Sequence, residues 1–373
     1  MADESARPRL EMLAALTDRH FLRVLAESDE PLSRAEIASR SGISKPAISD
    51  AAVRLERSGI ILDAGVRGGR RGGVATLYRI NGLRGHSLAI GLQSDEVVIR
   101  ARDLAGEVVY DHRERIARDL GTAALISVAN RLIRESALSI ITPLIAAAVS
   151  VAVPVETTGE TLRLASSPFP SGQFNPLREL ELTAETPVAI DNDVNWATTA
   201  ERNLGSMTSC DDFVYVYCGS GLGAGIYSSG QLQRGSRGLA GEIGYLRSPG
   251  NPGGPGGLDL TETLAGLGWG NPGVYGIDVE LALKLLAETP LGEQTDAALD
   301  ILAIAIANMA ILLNPRAIVL GGPLSALPTF VGGLDIRLRQ LTLDPPDVVT
   351  STHAPLEGAS FEAHRRAREA LGF

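Results

Sequence analysis

The sequence predicts an α/β protein in two parts: an N-terminal winged helix-turn-helix at residues 1–84, then a two-lobed α/β domain at residues 85–373. Three observations support this division. The first 84 residues read as three helices and a hairpin. From about Leu88 onward, strands and helices alternate. Charge also splits along the chain, which carries -10 overall: residues 34–84 hold ten Lys/Arg against four Asp/Glu, a local +6, whereas residues 85–373 hold 20 basic and 33 acidic side chains, or -13. A polyanion binds through accumulated phosphate contacts, so an evenly acidic chain would argue against nucleic acid; the asymmetry suggests a basic reader attached to an acidic body.

Leu13, Leu16, Phe21, Val24 and Leu25 recur at helical spacing and give a first amphipathic helix that ends near Ser28. In Leu32-Ser33-Arg34-Ala35-Glu36-Ile37-Ala38, Ser33 and Glu36 form a capping box that starts helix two. Ser41-Gly42-Ile43 makes a glycine turn. Ser44 is then expected to cap helix three, with Pro46 tolerated in its first turn, and the helix runs to about Ser58-Gly59. Ile48, Ala51, Ala52 and Leu55 fall on one face and are expected to pack on the first two helices, leaving Ser44, Lys45, Ser49 and Asp50 at the outer N-terminal end. In a helix-turn-helix that end enters the major groove. Two β-prone runs, 60–62 and 75–80, flank a glycine-arginine tip, so Arg67, Arg70 and Arg71 are expected to reach phosphates or a narrow minor groove from a hairpin wing. An Arg/Gly loop alone is often a solvated linker, and short helices around a glycine turn are common. The two together, in this order, point to double-stranded operator DNA as a partner.

The body reads as a strand pair at 88–92 and 97–102, a helix at 119–137, a buried strand at 145–155, strands at 188–190 and 213–217, and a helix at 195–204 between the last two. Cys210 and Cys218 lie outside any C-x-x-C or Cys/His cluster, which argues against a disulfide framework and a zinc site. No signal-like N-terminal segment is evident. The most apolar stretch, 301–313, is short for a bilayer span and stops at Asn314-Pro315, so a buried helix, a cytoplasmic protein and no membrane partner are expected.

Three stretches carry a specific resemblance. They are Asp191-Asn192-Asp193-Val194-Asn195 with Ala197 and Ala200-Glu201; Gly219-Ser220-Gly221-Leu222-Gly223-Ala224-Gly225 running into Leu239-Ala240-Gly241-Glu242-Ile243-Gly244-Tyr245; and 313–322, which ends in Gly321-Gly322. Together they resemble the ROK family (repressors, open reading frames and kinases). That resemblance implies an actin-like, sugar-kinase-like fold, a hexose held by the Asn-Asp pair and the Gly-Glu motif, and a second phosphate loop at 219–225. A dinucleotide-binding loop is the competing reading of those glycines. That motif must open a helix, whereas 226–232 reads as strand then turn, so the loop is expected to join two strands.

The family's kinases are similar to one another in an Asp-x-Gly-x-Thr on the first strand pair, and here Gly91-Leu92-Gln93-Ser94-Asp95 stands in that place. Phosphoryl transfer depends on positioning and charge neutralisation. With Gly91 for the acid and Gln93 for the first glycine, no catalytic residue and no cofactor are expected. Asp193, at the family's catalytic-base position, becomes a ligand contact. The family's Cys-rich zinc loop corresponds to 250–259, which has none of the thiolates, so no metal is expected. The resemblance therefore implies a regulator, read as a repressor although the sequence leaves repressor or activator open, whose effector site is Asn192, Asp193, Glu242, Tyr245 and Asp259 and whose ligand is a sugar or sugar derivative. Tyr245 in place of histidine and Asp259 in place of glutamate leave the ligand's identity open. Two DNA half-sites imply a homodimer or homotetramer. The alternatives are an active sugar kinase with an appended reader, and a regulator that answers to a protein partner.

Overall fold

A computed structural model of the chain describes residues 6–68, 74–117, 120–156, 158–162, 164, 169, 174–247, 257–288 and 290–373. Arg70 and Arg71 of the expected wing, and the glycine-rich segment 248–256, lie outside the described residues.

The reader consists of α1 (Ala6–Ala26), β1 (Leu32–Ser33), α2 (Arg34–Ser41), α3 (Lys45–Arg57), β2 (Ile61–Gly68) and β3 (Val74–Ile80). The capping box forms as expected, with Ser33 Oγ accepting from Glu36 N and Glu36 accepting from Ser33 N. Gly42, at φ +71°, ends α2 in a left-handed conformation that glycine adopts without strain. Ile48, Ala51, Ala52 and Leu55 are buried, as their spacing predicts. Three features differ from the expectation. Ser44 sits at the cap position of α3 without a side-chain cap bond. Leu13 and Leu16 are exposed, because among the described side chains of α1 the buried ones lie in its second half, from about where Arg54 of α3 pairs with Asp18 at 2.6 Å. The wing gains a third strand, since Leu32 pairs with Tyr78.

Lobe I contains β4 (His86–Leu92), β5 (Glu96–Asp103), β6 (Val108–Arg115), α4 (Gly121–Ser139), β7 (Leu144–Val151), α5 (Pro176–Glu179), β8 (Val188–Asn192) and α6 (Asp193–Asn203). Lobe II contains β9 (Phe213–Cys218), β10 (Leu222–Ser228), β11 (Gln231–Gln233), α7 (Leu260–Leu264), α8 (Val279–Leu286), α9 (Glu293–Leu313), β12 (Ala317–Gly321), α10 (Pro328–Leu341), β13 (Asp347–Thr350) and α11 (Pro355–Ala370). The two five-stranded sheets repeat one plan. In lobe I the order is β6-β5-β4-β7-β8, with β4, β5 and β6 antiparallel and β7 and β8 added in parallel; lobe II repeats it as β11-β10-β9-β12-β13. The glycine loop of 219–221 joins two antiparallel strands, as its context predicts.

β6 is not evident in the sequence because it is an exposed edge strand crowded with charge, which hides the alternation of a half-buried strand. α9 is longer than the apolar run suggests. Among the described residues it is the one helix long and apolar enough to cross a membrane, and about 50% of that stretch is buried within lobe II, with Leu299, Leu302 and Ile306 fully enclosed.

Two helices fill the space between the sheets. α6 leaves lobe I and lays Val194 and Ala197 on Phe213 and Tyr215 of lobe II, while α11, last in the chain, returns to lobe I and packs Ala359 and Ala363 on Ala89 and Ala148. They touch at Gly358, where a Cβ would lie 1.9 Å from the Trp196 carbonyl oxygen, so only glycine permits this approach. The core of the reader does not stop at residue 84. Phe21, Ile37, Ile48 and Tyr78 share one apolar cluster with Leu104 and Ala146 of lobe I and Ala367 of α11.

Candidate functional site

A cleft of about 100 Å³ opens where the lobes meet, and Gln93, Asn192, Asp193, Glu242, Tyr245 and Tyr275 are among its polar lining. Each arrives for a local reason. Asn192 is the N-cap of α6, its Oδ1 accepting from Val194 N at 2.9 Å. Asp193 is the first helical residue and lies 8% exposed; its Oδ1 also accepts from Val194 N at 2.9 Å, and the Gln93 side chain lies beside it at the β4–β5 turn. Burial outweighs these contacts and pushes the Asp193 carboxyl up to about 7. Glu242 follows Gly241, whose φ of +89° and whose position, with a Cβ 1.8 Å from the Ala224 oxygen, both demand glycine. Burial, then the charge of Asp193, pushes Glu242 up to about 7 as well. Among the described residues no donor reaches its carboxylate.

Tyr245 lines the cleft and stacks on Tyr275, ring centroids 6.4 Å apart. Asp259 is placed differently from the expectation. It caps α7, with Oδ1 accepting from Glu262 N at 2.8 Å and Oδ2 accepting from the Tyr275 hydroxyl at 3.1 Å, so both oxygens are engaged and the carboxylate stays out of the cleft. Its link to the site is indirect, through Tyr275. Three contributions are not evident in the sequence. Gln93 reads there only as a lost glycine, although its side chain lies beside Asp193. Tyr217 lies across the glycine loop, where a Cβ on Gly219 would meet its hydroxyl at 2.5 Å. Tyr275 belongs to no motif. The tyrosine at 217, on a strand that leads into a loop of small residues, is the one available signal.

On the reader, Ser44, Lys45 and Asp50 are exposed at the start of α3 and Ser49 is half-buried beside them. Arg67 projects from β2, but its Nη1 lies 2.8 Å from Glu36 Oε1, so the guanidinium is already paired with α2. The structure therefore brings Ser44, Lys45, Ser49 and Asp50 together and holds Arg67 against α2.

A profile of the ROK family matches residues 87–258, the stretch that runs from β4 through the Asn-Asp pair and the glycine loop to Glu242 and beyond. The chain carries a ROK family domain. Its relatives include both repressors and sugar kinases. The chain is 32% identical over 190 residues to a β-glucoside kinase of Listeria innocua, covering 48% of this chain and 65% of the kinase, and 29% identical over 221 residues to a xylose repressor of Caldicellulosiruptor bescii, covering 57% of this chain and 54% of the repressor. The chain thus spans less than two thirds of the length of these relatives. Among solved structures, a ROK family transcriptional regulator, a homologue of the Escherichia coli MLC protein, superposes with a TM-score of 0.70 at 20% identity over 96% of this chain and 98% of its own. This ROK domain therefore has the actin-like, sugar-kinase-like fold, and the match of fold extends over the N-terminal helices.

Proposed function

We propose that this ROK protein is a sequence-specific DNA-binding repressor of the cytoplasm, working as a homodimer or homotetramer and released from its operator by a sugar held in the cleft. The observation that carries this is the shared core: the reader's Phe21, Ile37 and Ile48 pack in one cluster with Leu104, Ala146 and Ala367, so a change in lobe I or α11 is felt by the recognition helix without a linker between them. The xylose repressor and the MLC homologue support the regulatory role.

Three features support a cleft that binds without catalysing. Gly91 offers no carboxylate for a metal, Gln93 lies beside Asp193, and the Tyr217 side chain stands beside Gly219 at the start of the glycine loop. Asn192, Asp193, Glu242 and Tyr245 are the proposed sugar contacts, and Asp259 supports them through Tyr275. Ser44, Lys45, Ser49 and Asp50 are the proposed base and phosphate contacts of α3, with Arg70 and Arg71 on the wing, while Arg67, expected beside them, is engaged by Glu36. The 32% identical β-glucoside kinase keeps an active kinase as the second reading.

Selection of duplexes from a random library, followed by release assays with a sugar panel, tests the proposal. Enrichment of one palindromic sequence, and its release by a sugar without ADP formation, is the expected outcome. No enrichment, together with sugar-dependent ADP production, would favour the kinase.

A further inference from the structure

We propose that the cleft is built for an unphosphorylated sugar bearing a protonated amine, an inference that rests on the sugar-sensor function above. The first ground is the sign of the lining. Asp193 and Glu242 are its charged groups, Asn192, Gln93, Tyr245 and Tyr275 are neutral, and none of the described residues around the cleft is Lys, Arg or His. A phosphate or carboxylate on the ligand would enter with no cation to meet it and two acids to repel it.

The second ground is narrower and concerns the glycine loop. Gly219 N already donates to Gly221 O at 3.1 Å, and the Tyr217 side chain stands beside Gly219, so this one amide is taken and, among the described residues, no side-chain cation accompanies the loop's backbone where it lines the cleft. The third is the state of the carboxyls. Glu242 has no donor among the described residues, while Asp193 is nine-tenths buried and receives Val194 N with Gln93 beside it. Carboxylates are acceptors only, and an ammonium brings three donors and a compensating charge. The burial and mutual repulsion that push both carboxyls up to about 7 would be relieved by such a ligand and only partly by a hydroxyl.

The test is calorimetric titration of the full chain with glucosamine, galactosamine and mannosamine, each beside its parent hexose, its N-acetyl form and its 6-phosphate, at neutral pH. For the ring configuration that binds, the amine should bind roughly tenfold or more tighter than the hexose, the effect of about one pKa unit at a nearby opposite charge. The 6-phosphate should give no measurable heat. Glu242→Gln, or Asp193→Asn should the first variant melt early, should shrink the advantage of the amine to about twofold. A 6-phosphate that binds as well as its hexose, or an N-acetyl or parent sugar that matches the amine, overturns the inference and leaves the sensor role standing. Silence from every sugar in all three configurations overturns the inference and the sensor role together.

Discussion

Arg234 Nε lies 2.6 Å from Asp191 Oδ2, tying the loop after β11 in lobe II to the end of β8 in lobe I. The other oxygen of Asp191 accepts from Asn192 N at 2.8 Å and from Asn195 Nδ2 at 2.7 Å. One buried carboxylate thus fixes the Asn-Asp motif and one edge of the cleft together. Arg234→Ala should cost about 1 kcal/mol in urea denaturation, since Arg234 is half exposed and water replaces part of its role. It should also weaken sugar binding several-fold by loosening the cleft. Unchanged sugar affinity would show that the tie serves stability alone.

Glu36 predicts an unequal wing. Because Arg67 is already neutralised by Glu36, Arg67→Ala should change DNA affinity little, whereas Arg70→Ala with Arg71→Ala should lower the log-log salt slope by roughly 2, about 0.9 for each phosphate that is no longer neutralised. Filter-binding isotherms at several salt concentrations measure both. An equal reduction from Arg67→Ala would mean that the Glu36 pair opens on DNA.

Stability without ligand should depend on pH through Asp193. A carboxyl whose pKa is higher in the folded chain holds its proton more tightly there, so its stabilising contribution is present at low pH and is lost as pH rises through the folded value. For Asp193 that window runs from its ordinary value of 3.8 to about 7. The wild-type Tm should therefore fall between pH 5 and pH 7 (about the upper part of that window) more steeply than that of Asp193→Asn. Parallel curves would place the carboxyl in a wetter site than the cleft describes.

Much of this is legible in the sequence, and the parts that are not share physical causes. The capping box at Ser33 and Glu36, the buried face of α3 and the strand-loop-strand at 219–221 are short-range patterns, and each appears where its residues predict. Asp259 does not join the cleft as its motif position suggests, because that position says nothing about who takes up its oxygens, and Glu262 and Tyr275 do so here. Arg234 with Asp191, and Ala367 with the reader's core, join residues 43 and more positions apart, beyond any periodicity.

Kinase chemistry should be absent. With Gly91 on β4 and Gln93 just beyond its end, sugar-dependent ADP formation should stay far below the turnover of about one per second or more that is ordinary for kinases. A coupled ADP assay across neutral and amino hexoses would reveal it.

The most direct test of the central claim, that occupancy of the cleft sets the affinity of the reader, is a titration of the selected operator duplex with and without the sugar that binds, for wild type and for Asp193→Ala with Glu242→Ala. Coupling of about 1 to 3 kcal/mol is typical of allosteric sites. The wild type should lose 5- to 150-fold in operator affinity on adding sugar (about the range that coupling gives). The double variant, shown to be folded by its melting curve, should keep near wild-type operator affinity and lose the response. A folded double variant released at the same sugar concentration as the wild type would contradict the account.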